Sequence, residues 1–238
     1  MGSSNGKARS SMSLLEGRDI NGIPLKSDYD GMMAKPKSLF VAYSMFFIIF
    51  SLFGIAAGVL QIIVYKWPEK AQRKVDLLIE YGLGPLYISL FLLKFFFQLI
   101  NANVGTARRE TKVNNPDQHV YRVFGGPSAG SVVLMDTADD FGKFNRAQRA
   151  LANLEEWLPL FLAEMVFVGF VFPLEVAVVT LLFGFARYRG ALAYTRAAKS
   201  RLGGNMLGFL MSGIMDGLCI FLGVWTTYKE YGPLFRKA

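Results

Sequence analysis

Residues 38–65 read SLFVAYSMFFIIFSLFGIAAGVLQIIVY, a run without a single charged side chain. A helix needs about 20 apolar residues to cross the hydrocarbon core of a bilayer. The run therefore predicts a transmembrane helix, and Lys66 and Pro68 follow it as an interfacial charge and a helix breaker. The lipid bilayer is thus the expected solvent and partner of the chain.

The composition agrees with a membrane protein. Of the 238 residues, 53% are hydrophobic and 14% aromatic, and the formal net charge is +8. The basic residues cluster beside apolar runs, which is typical of topology signals, so no nucleic-acid partner is expected. The chain has one cysteine, Cys219, and one histidine, His119. This composition predicts no metal site and disfavours a Ser-His-Asp triad.

Further apolar runs predict four more membrane spans, which cover residues 82–104, 157–172, 174–189 and 206–228. The predicted fold class is therefore all-α, an integral membrane helical bundle. The predicted organisation is a disordered polar tail (1–37), an extra transmembrane helix (38–66), a link (67–82) and a four-helix membrane domain (83–238) with a loop at about 110–143.

The distribution of Lys and Arg predicts the orientation, because cytoplasmic flanks carry the excess. If five helices cross, three basic clusters share one side of the membrane. They are the tail through Lys37, the loop that follows Arg108 and Arg109, and the corner from Arg187 to Arg201. That side is predicted to face the cytosol.

A polar stripe begins the third predicted span. Arg146, Arg149, Asn153 and Glu156 are spaced by three, four and three residues, which puts them on one helical face. Polar groups entering lipid need partners, so the stripe is expected to face the bundle interior or a subunit interface. A purely structural stripe, in which Arg149 and Glu156 neutralise each other, fits the spacing equally well.

The end of the fourth span repeats the pattern. Arg187, Tyr194 and Arg201 are spaced by seven residues, and Gly190 on the same face leaves room for a ligand. Basic residues at a helix end are also ordinary topology signals. Combined with Arg108 and the stripe, however, they indicate a basic pocket suited to a small polyanion with carboxylate and amide groups.

These segments resemble a known family. Residues 149–163, RALANLEEWLPLFLA, are similar to the second-helix signature of the MAPEG family of membrane proteins. Residues 185–189, FARYR, and 194–201, YTRAAKSR, resemble the family's third-helix region, and residues 106–109, TARR, resemble the end of its first helix. The resemblance covers about residues 84–228 and implies a MAPEG-like four-helix bundle, here with one additional N-terminal transmembrane helix.

The resemblance also implies a site. Family members are homotrimers that bind glutathione, their co-substrate, between subunits near the cytosolic face. Carried over by position, the glutathione-binding residues are Arg149, Asn153, Glu156, Trp157, Arg187 and Tyr194, with Arg108 from the neighbouring subunit. Arg201 matches the catalytic arginine that stabilises the glutathione thiolate. A guanidinium is suited to this role, since it stays charged and lowers the pKa of an adjacent thiol.

The resemblance predicts a glutathione transferase or peroxidase of eicosanoid or lipid metabolism. Its predicted place is the endoplasmic reticulum or a related organelle membrane, with a cytosol-facing site and a lipophilic electrophile or lipid hydroperoxide as second substrate. The alternative is a non-catalytic relative that binds lipid or serves as a complex subunit, since Gly190 and Leu151 replace a tyrosine and a glutamine of the family's site.

The charges within apolar runs, Lys94, Glu164 and Asp216, leave a third alternative open, a polar path through a small transporter or channel. The structural interpretation of the same charges is that Lys94 pairs with Glu164 or Asp216 and holds the bundle together.

Overall fold

The computed structural model describes residues 17, 23–27, 39–65, 68–115, 117–124 and 132–235. The tail predicted over residues 1–37 lies, apart from 17 and 23–27, outside this part of the chain. The described helices are α1 (Leu39–Tyr65), α2 (Glu69–Glu80), α3 (Gly84–Thr111), α4 (Asp139–Gly169), α5 (Pro173–Arg196) and α6 (Arg201–Phe235). A 3₁₀ turn, Ala198–Ser200, joins the last two helices.

Four described helices are long and apolar enough to cross a membrane: α1, α3, α5 and α6. The fifth predicted span, α4, forms a helix of 31 residues but does not meet the same measure of apolar composition. Its first half is polar, and Glu155, Glu156 and Glu164 interrupt its apolar half. Length and composition alone therefore identify four of the five predicted spans. The fifth, in the apolar half of α4, stays a prediction, and that half packs within the bundle.

The bundle consists of α3, α4, α5 and α6, each packed against at least two of the others. Phe161 of α4 and Phe183 of α5 stack at its centre with ring centroids 4.0 Å apart, and both are fully buried. Gly184 lets α5 approach α3 closely, because a Cβ atom there would lie 2.2 Å from Cδ2 of Phe96. The all-α membrane bundle predicted from the sequence is thus confirmed.

Helix α1 lies at the edge of the bundle. Its principal contact is with α3, through Phe47, whose ring lies 5.4 Å from that of Phe91 and 6.0 Å from that of Phe95. None of the residues in its most apolar stretch is buried inside the protein. Their apolar side chains therefore have the hydrocarbon of the bilayer as their environment.

The predicted link and loop both contain regular structure. Residues 67–82 include α2, which follows Pro68 and is followed by Gly82, a residue at φ +64°. A glycine in this left-handed region ends a helix without steric cost. The loop at 110–143 contains an antiparallel pair, β1 (Tyr121–Phe124) and β2 (Val132–Met135), and the first residues of α4.

Asn145 fixes this pair of strands to the head of α4. Its Nδ2 donates to Val120 O at 2.7 Å and to Asp136 O at 2.8 Å, and its Oδ1 accepts from Val120 N at 2.9 Å. The side chain is 2% exposed, so these bonds are shielded from water. The connection between α3 and α4 is therefore held against the polar end of the bundle.

Candidate functional site

The site begins with the polar stripe of α4, whose members do not act as one group. Arg149 Nη1 donates to Glu156 Oε1 at 2.9 Å, and both side chains are about half exposed. Arg146 instead reaches Thr195 O of α5 at 3.2 Å and Thr137 O at 3.0 Å. The ion pair of Arg149 with Glu156, anticipated as an alternative, is thus present. Arg146 instead links α4 to α5 and to the residues that precede α4.

The remaining stripe residue, Asn153, opens onto a small cavity. The cavity measures about 20 Å³ and lies between α3, α4, α5 and α6. Its lining includes Asn153, Arg187, Gly190, Tyr194 and Asn205. The structure thus brings together three of the predicted site residues around Gly190. The volume is enough for about one water molecule and far too small for a tripeptide.

Arg187 is the principal cation at this cavity. Its side chain is 6% exposed, and its Cζ lies 5.0 Å from the ring centroid of Trp157, 5.2 Å from that of Phe183 and 5.5 Å from that of Phe209. The faces of such aromatic rings attract a guanidinium group and fix its orientation. Within the described residues, however, its Nε and Nη2 have no hydrogen-bond partner. Arg187 therefore presents unused donors beside the cavity.

Trp157 forms part of the wall that orients Arg187. Its ring meets that of Phe209 edge to face, with centroids 5.9 Å apart, and it is 38% exposed. The predicted residue is thus beside the site, and its partly open face leaves an aromatic surface for a ligand.

Arg108 lies elsewhere in the single chain. It is 6% exposed, and its Nη1 donates to Val113 O at 3.1 Å and to Asp117 O at 2.5 Å. Its Cζ is 5.0 Å from the ring centroid of Phe144. These contacts stabilise the chain after α3, so Arg108 does not reach the cavity of its own chain. The predicted contact with glutathione of a neighbouring subunit stays a prediction.

The predicted catalytic residue, Arg201, is the first residue of α6. Its side chain lies outside the described part of the structure, so its role also stays a prediction. The position does place its backbone at the start of the helix that brings Asn205 to the cavity.

Two polar residues near the site were not singled out as site residues in the sequence. Asn205 follows Arg201 by four residues, so helical spacing could have identified it. His119 offered no such signal, since it stands in a polar loop. Burial lowers the pKa of His119, and the positive charges of Arg149 and Arg108 lower it further. Its Nε2 is buried without a hydrogen-bond partner among the described residues.

The charges inside the apolar segments are arranged differently from the prediction. Lys94 takes part in no ion pair within the described residues. Glu164 of α4 instead lies beside Asp216 of α6. The predicted pairing of Lys94 inside one chain is therefore wrong, because α4 and α6 bring the two carboxyl groups to each other.

Comparison with known protein families matches the part of the chain that forms the bundle. The sequence model of the MAPEG family matches residues 85–221. The match spans more than half of the chain and covers α3, the strands, α4, α5 and most of α6, leaving α1 and α2 outside it. A search of curated proteins finds no match.

Proposed function

The chain belongs to the MAPEG family, and we propose that it is a membrane-bound glutathione transferase or peroxidase. In this proposal it holds glutathione as the thiolate, which attacks a lipophilic electrophile or a lipid hydroperoxide. Family membership supports a role of the glutathione transferase and eicosanoid type. The specific activity rests on the residues around the cavity.

Arg187 is the observation that carries the proposal. A buried guanidinium with two unused donors is costly unless a ligand completes its hydrogen bonds. The ligand must therefore present acceptors, and a carboxylate is the best match for the fork of an arginine. Asn153, Tyr194 and Asn205 add hydrogen-bonding groups at the same place. Glutathione supplies both carboxylates and amides.

The size of the cavity constrains how glutathione binds. Because about 20 Å³ cannot hold a tripeptide, only one of its groups enters beside Arg187, and the rest lies over the rim. Trp157 contacts Arg187, and the Arg149 and Glu156 pair lies on the same face of α4 as Asn153. We propose that a neighbouring subunit of a homotrimer covers this surface and that its Arg108 and the Arg201 side chain complete the site.

The chemistry requires no protein nucleophile. The glutathione thiol loses its proton to solvent, and the Arg201 guanidinium stabilises the resulting thiolate. The thiolate sulfur then forms a bond to an electrophilic carbon while the leaving group departs with its electron pair. With a lipid hydroperoxide, the thiolate attacks the terminal oxygen and the O–O bond breaks. The departing lipid alkoxide takes a proton from solvent and becomes an alcohol. A second glutathione then reduces the resulting sulfenic acid and releases the disulfide and water.

An apolar cavity supports a lipophilic second substrate. It measures about 320 Å³, lies between α3 and α4, and is lined by Leu90, Leu93, Phe97, Leu158 and Leu162, with Lys94. A substrate dissolved in the bilayer would reach such a cavity without crossing water. The placement in the endoplasmic reticulum or a related organelle membrane, with the site facing the cytosol, rests on the basic clusters and is part of the proposal.

The second candidate function is a non-catalytic relative that binds lipid or serves as a subunit of a membrane complex. The observation that favours it is the mutual neutralisation of Arg149 and Glu156, two residues that a glutathione site would use. In that case the small cavity beside Arg187 would bind no glutathione, and the apolar cavity between α3 and α4 would be the lipid-binding site.

Isothermal titration of glutathione into detergent-solubilised protein separates the candidates, with the thiolate absorbance recorded on the same samples. The wild type should bind and give a thiolate signal, and Arg201→Ala should lose that signal. Arg196→Ala, an exposed basic neighbour, is the matched control and should behave as wild type. If no protein binds glutathione, the transferase proposal fails and the non-catalytic candidate takes its place.

A further inference from the structure

Three residues with acidic or basic side chains lie in the apolar part of the bundle, and none of them lines the small cavity beside Arg187. They are Lys94 of α3, Glu164 of α4 and Asp216 of α6. An ionisable side chain at membrane depth is costly and persists where it has a partner or a function. Among the described residues of one chain, neither Lys94 nor the two carboxyl groups take part in an ion pair.

The negative charge resides on two carboxyl groups. Glu164 and Asp216 lie beside each other on α4 and α6, two helices that pack against one another. Two neighbouring carboxyl groups at membrane depth call for a positive counter-charge, because a carboxylate there is costly without a partner. Asp216 is exposed in the single chain, and a Cβ atom added at Gly213 or Gly217 would meet nothing within 4 Å. The face around the pair is therefore open and lined by small residues.

The positive charge of Lys94 lies at nearly the same depth. Lys94 is exposed, and it lines the apolar cavity together with Leu158 and Leu162 of α4. Leu158 and Leu162 precede Glu164 by six and two positions, which is about 9 Å and 3 Å along the axis of α4. The long, flexible side chain of a lysine can span much of this difference in depth.

We propose that Lys94 of one copy of this chain pairs, inside the membrane, with the Glu164 and Asp216 carboxyls of a second copy. Copies related by rotation about the membrane normal keep every residue at its depth, so Lys94 meets the carboxyls of its neighbour at the required level. The lysine ammonium group then supplies the counter-charge that the carboxyl groups lack within their own chain. The small residues Gly213 and Gly217 allow the close approach of helices that such a contact needs.

The contact joins two different surfaces, a lysine on α3 and a carboxyl pair between α4 and α6. Such a contact is heterologous, and it closes into a ring when the rotation between copies allows. The inference concerns assembly, and it does not depend on whether the protein binds glutathione.

Cross-linking between copies tests the pair directly. Two differently tagged chains are co-expressed in a Cys219→Ser background, one with Lys94→Cys and the other with Asp216→Cys, so that each chain has a single cysteine. A short thiol cross-linker applied in membranes should yield a product carrying both tags. In the control, Ile88→Cys replaces Lys94→Cys, because Ile88 is an exposed residue on another side of α3. The absence of a mixed product, or an equal yield from the control, overturns the proposal.

Charge neutralisation provides the second test. The fraction of assembled protein is measured by native mass spectrometry during dilution into detergent. Lys94→Met alone should weaken association at least about tenfold, because it leaves the carboxyl charge buried and unpaired. Lys94→Met combined with Glu164→Gln and Asp216→Asn should recover association to within about threefold of wild type.

The pattern among these variants decides the outcome. Single and combined variants that all assemble as wild type overturn the pairing. A Lys94→Met variant that assembles normally but loses a co-purifying acidic lipid also overturns it, since Lys94 would then hold a lipid headgroup.

Discussion

Arg149 and Glu156 lie two turns apart on α4, and the arginine Nη1 donates to the glutamate Oε1 at 2.9 Å. Their side chains are 46% and 55% exposed. An ion pair this exposed contributes about 0–1 kcal/mol to the free energy of unfolding. The pair is therefore weak enough to open for a zwitterionic ligand, in which the arginine meets a carboxylate and the glutamate meets an ammonium group.

Glu156→Gln should weaken glutathione binding about tenfold, because the ligand's ammonium group loses its counter-charge. The midpoint of thermal unfolding should change by no more than about 2 °C, since the lost pair is exposed. Titration calorimetry and thermal unfolding in the same detergent give the two values. Glu155→Gln, an exposed neighbour, should leave both unchanged; an equal loss of affinity in both variants would contradict a specific role of Glu156.

Arg187→Met should abolish glutathione binding while leaving the fold as stable as wild type or slightly more stable. The variant loses cation–π contacts worth about 0.5–2 kcal/mol. It also removes two buried donors without partners, which cost about 1–3 kcal/mol each. Binding is measured by titration and stability by thermal unfolding. Arg189→Met, which changes an exposed arginine on the same helix, should retain binding. A strongly destabilised Arg187→Met protein would indicate a structural role instead.

Gly184→Ala should destabilise the bundle by about 1–3 kcal/mol, because the new methyl group would overlap the Phe96 ring and push α3 from α5. Gly58→Ala is the matched control on α1, where an added Cβ meets nothing within 4 Å. Thermal unfolding should show a lower midpoint for the first variant only. Adding Phe96→Leu to Gly184→Ala should recover part of the lost stability. If it does not, the destabilisation does not come from a clash with the Phe96 ring.

Acidification should destabilise the protein partly through His119. The folded state lowers the pKa of this histidine below its ordinary value of about 6.5. Below that value the unfolded chain takes up a proton that the folded chain binds more weakly, so stability falls as the pH falls. The unfolding midpoint should therefore decrease less in His119→Gln than in wild type between pH 7.5 and about pH 5.5. Equal decreases would mean that other groups account for the acid sensitivity.

The helices followed from the sequence because the bilayer imposes length and apolarity on each segment separately. The charge-free run at 38–65 needed no tertiary information, and it corresponds to α1. The extent of α4 was harder to predict, because its polar half begins at Asp139 and its apolar half carries three glutamates. Composition alone cannot decide whether such a helix lies in lipid or against its neighbours.

The site was predictable only in part, because residue spacing shows which helical face a side chain occupies but not which residue it contacts. Seven-residue spacing correctly placed Arg187 and Tyr194 on the surface that lines the small cavity. Spacing left open whether Arg149 and Glu156 contact a ligand or each other, and the structure shows them as an ion pair. His119 and the Glu164 with Asp216 pair depend on contacts between segments far apart in the chain, and no local pattern encodes them.

The peripheral position of α1 has a consequence for how the protein is built. Since α1 docks mainly on α3 and buries little of its apolar surface in protein, the bilayer alone stabilises most of it. The helix can insert as an autonomous unit and attach afterwards, so it behaves as a module added to a self-sufficient bundle. A change in its lipid-facing residues would alter which membrane thickness the protein prefers and leave the architecture of the other helices intact.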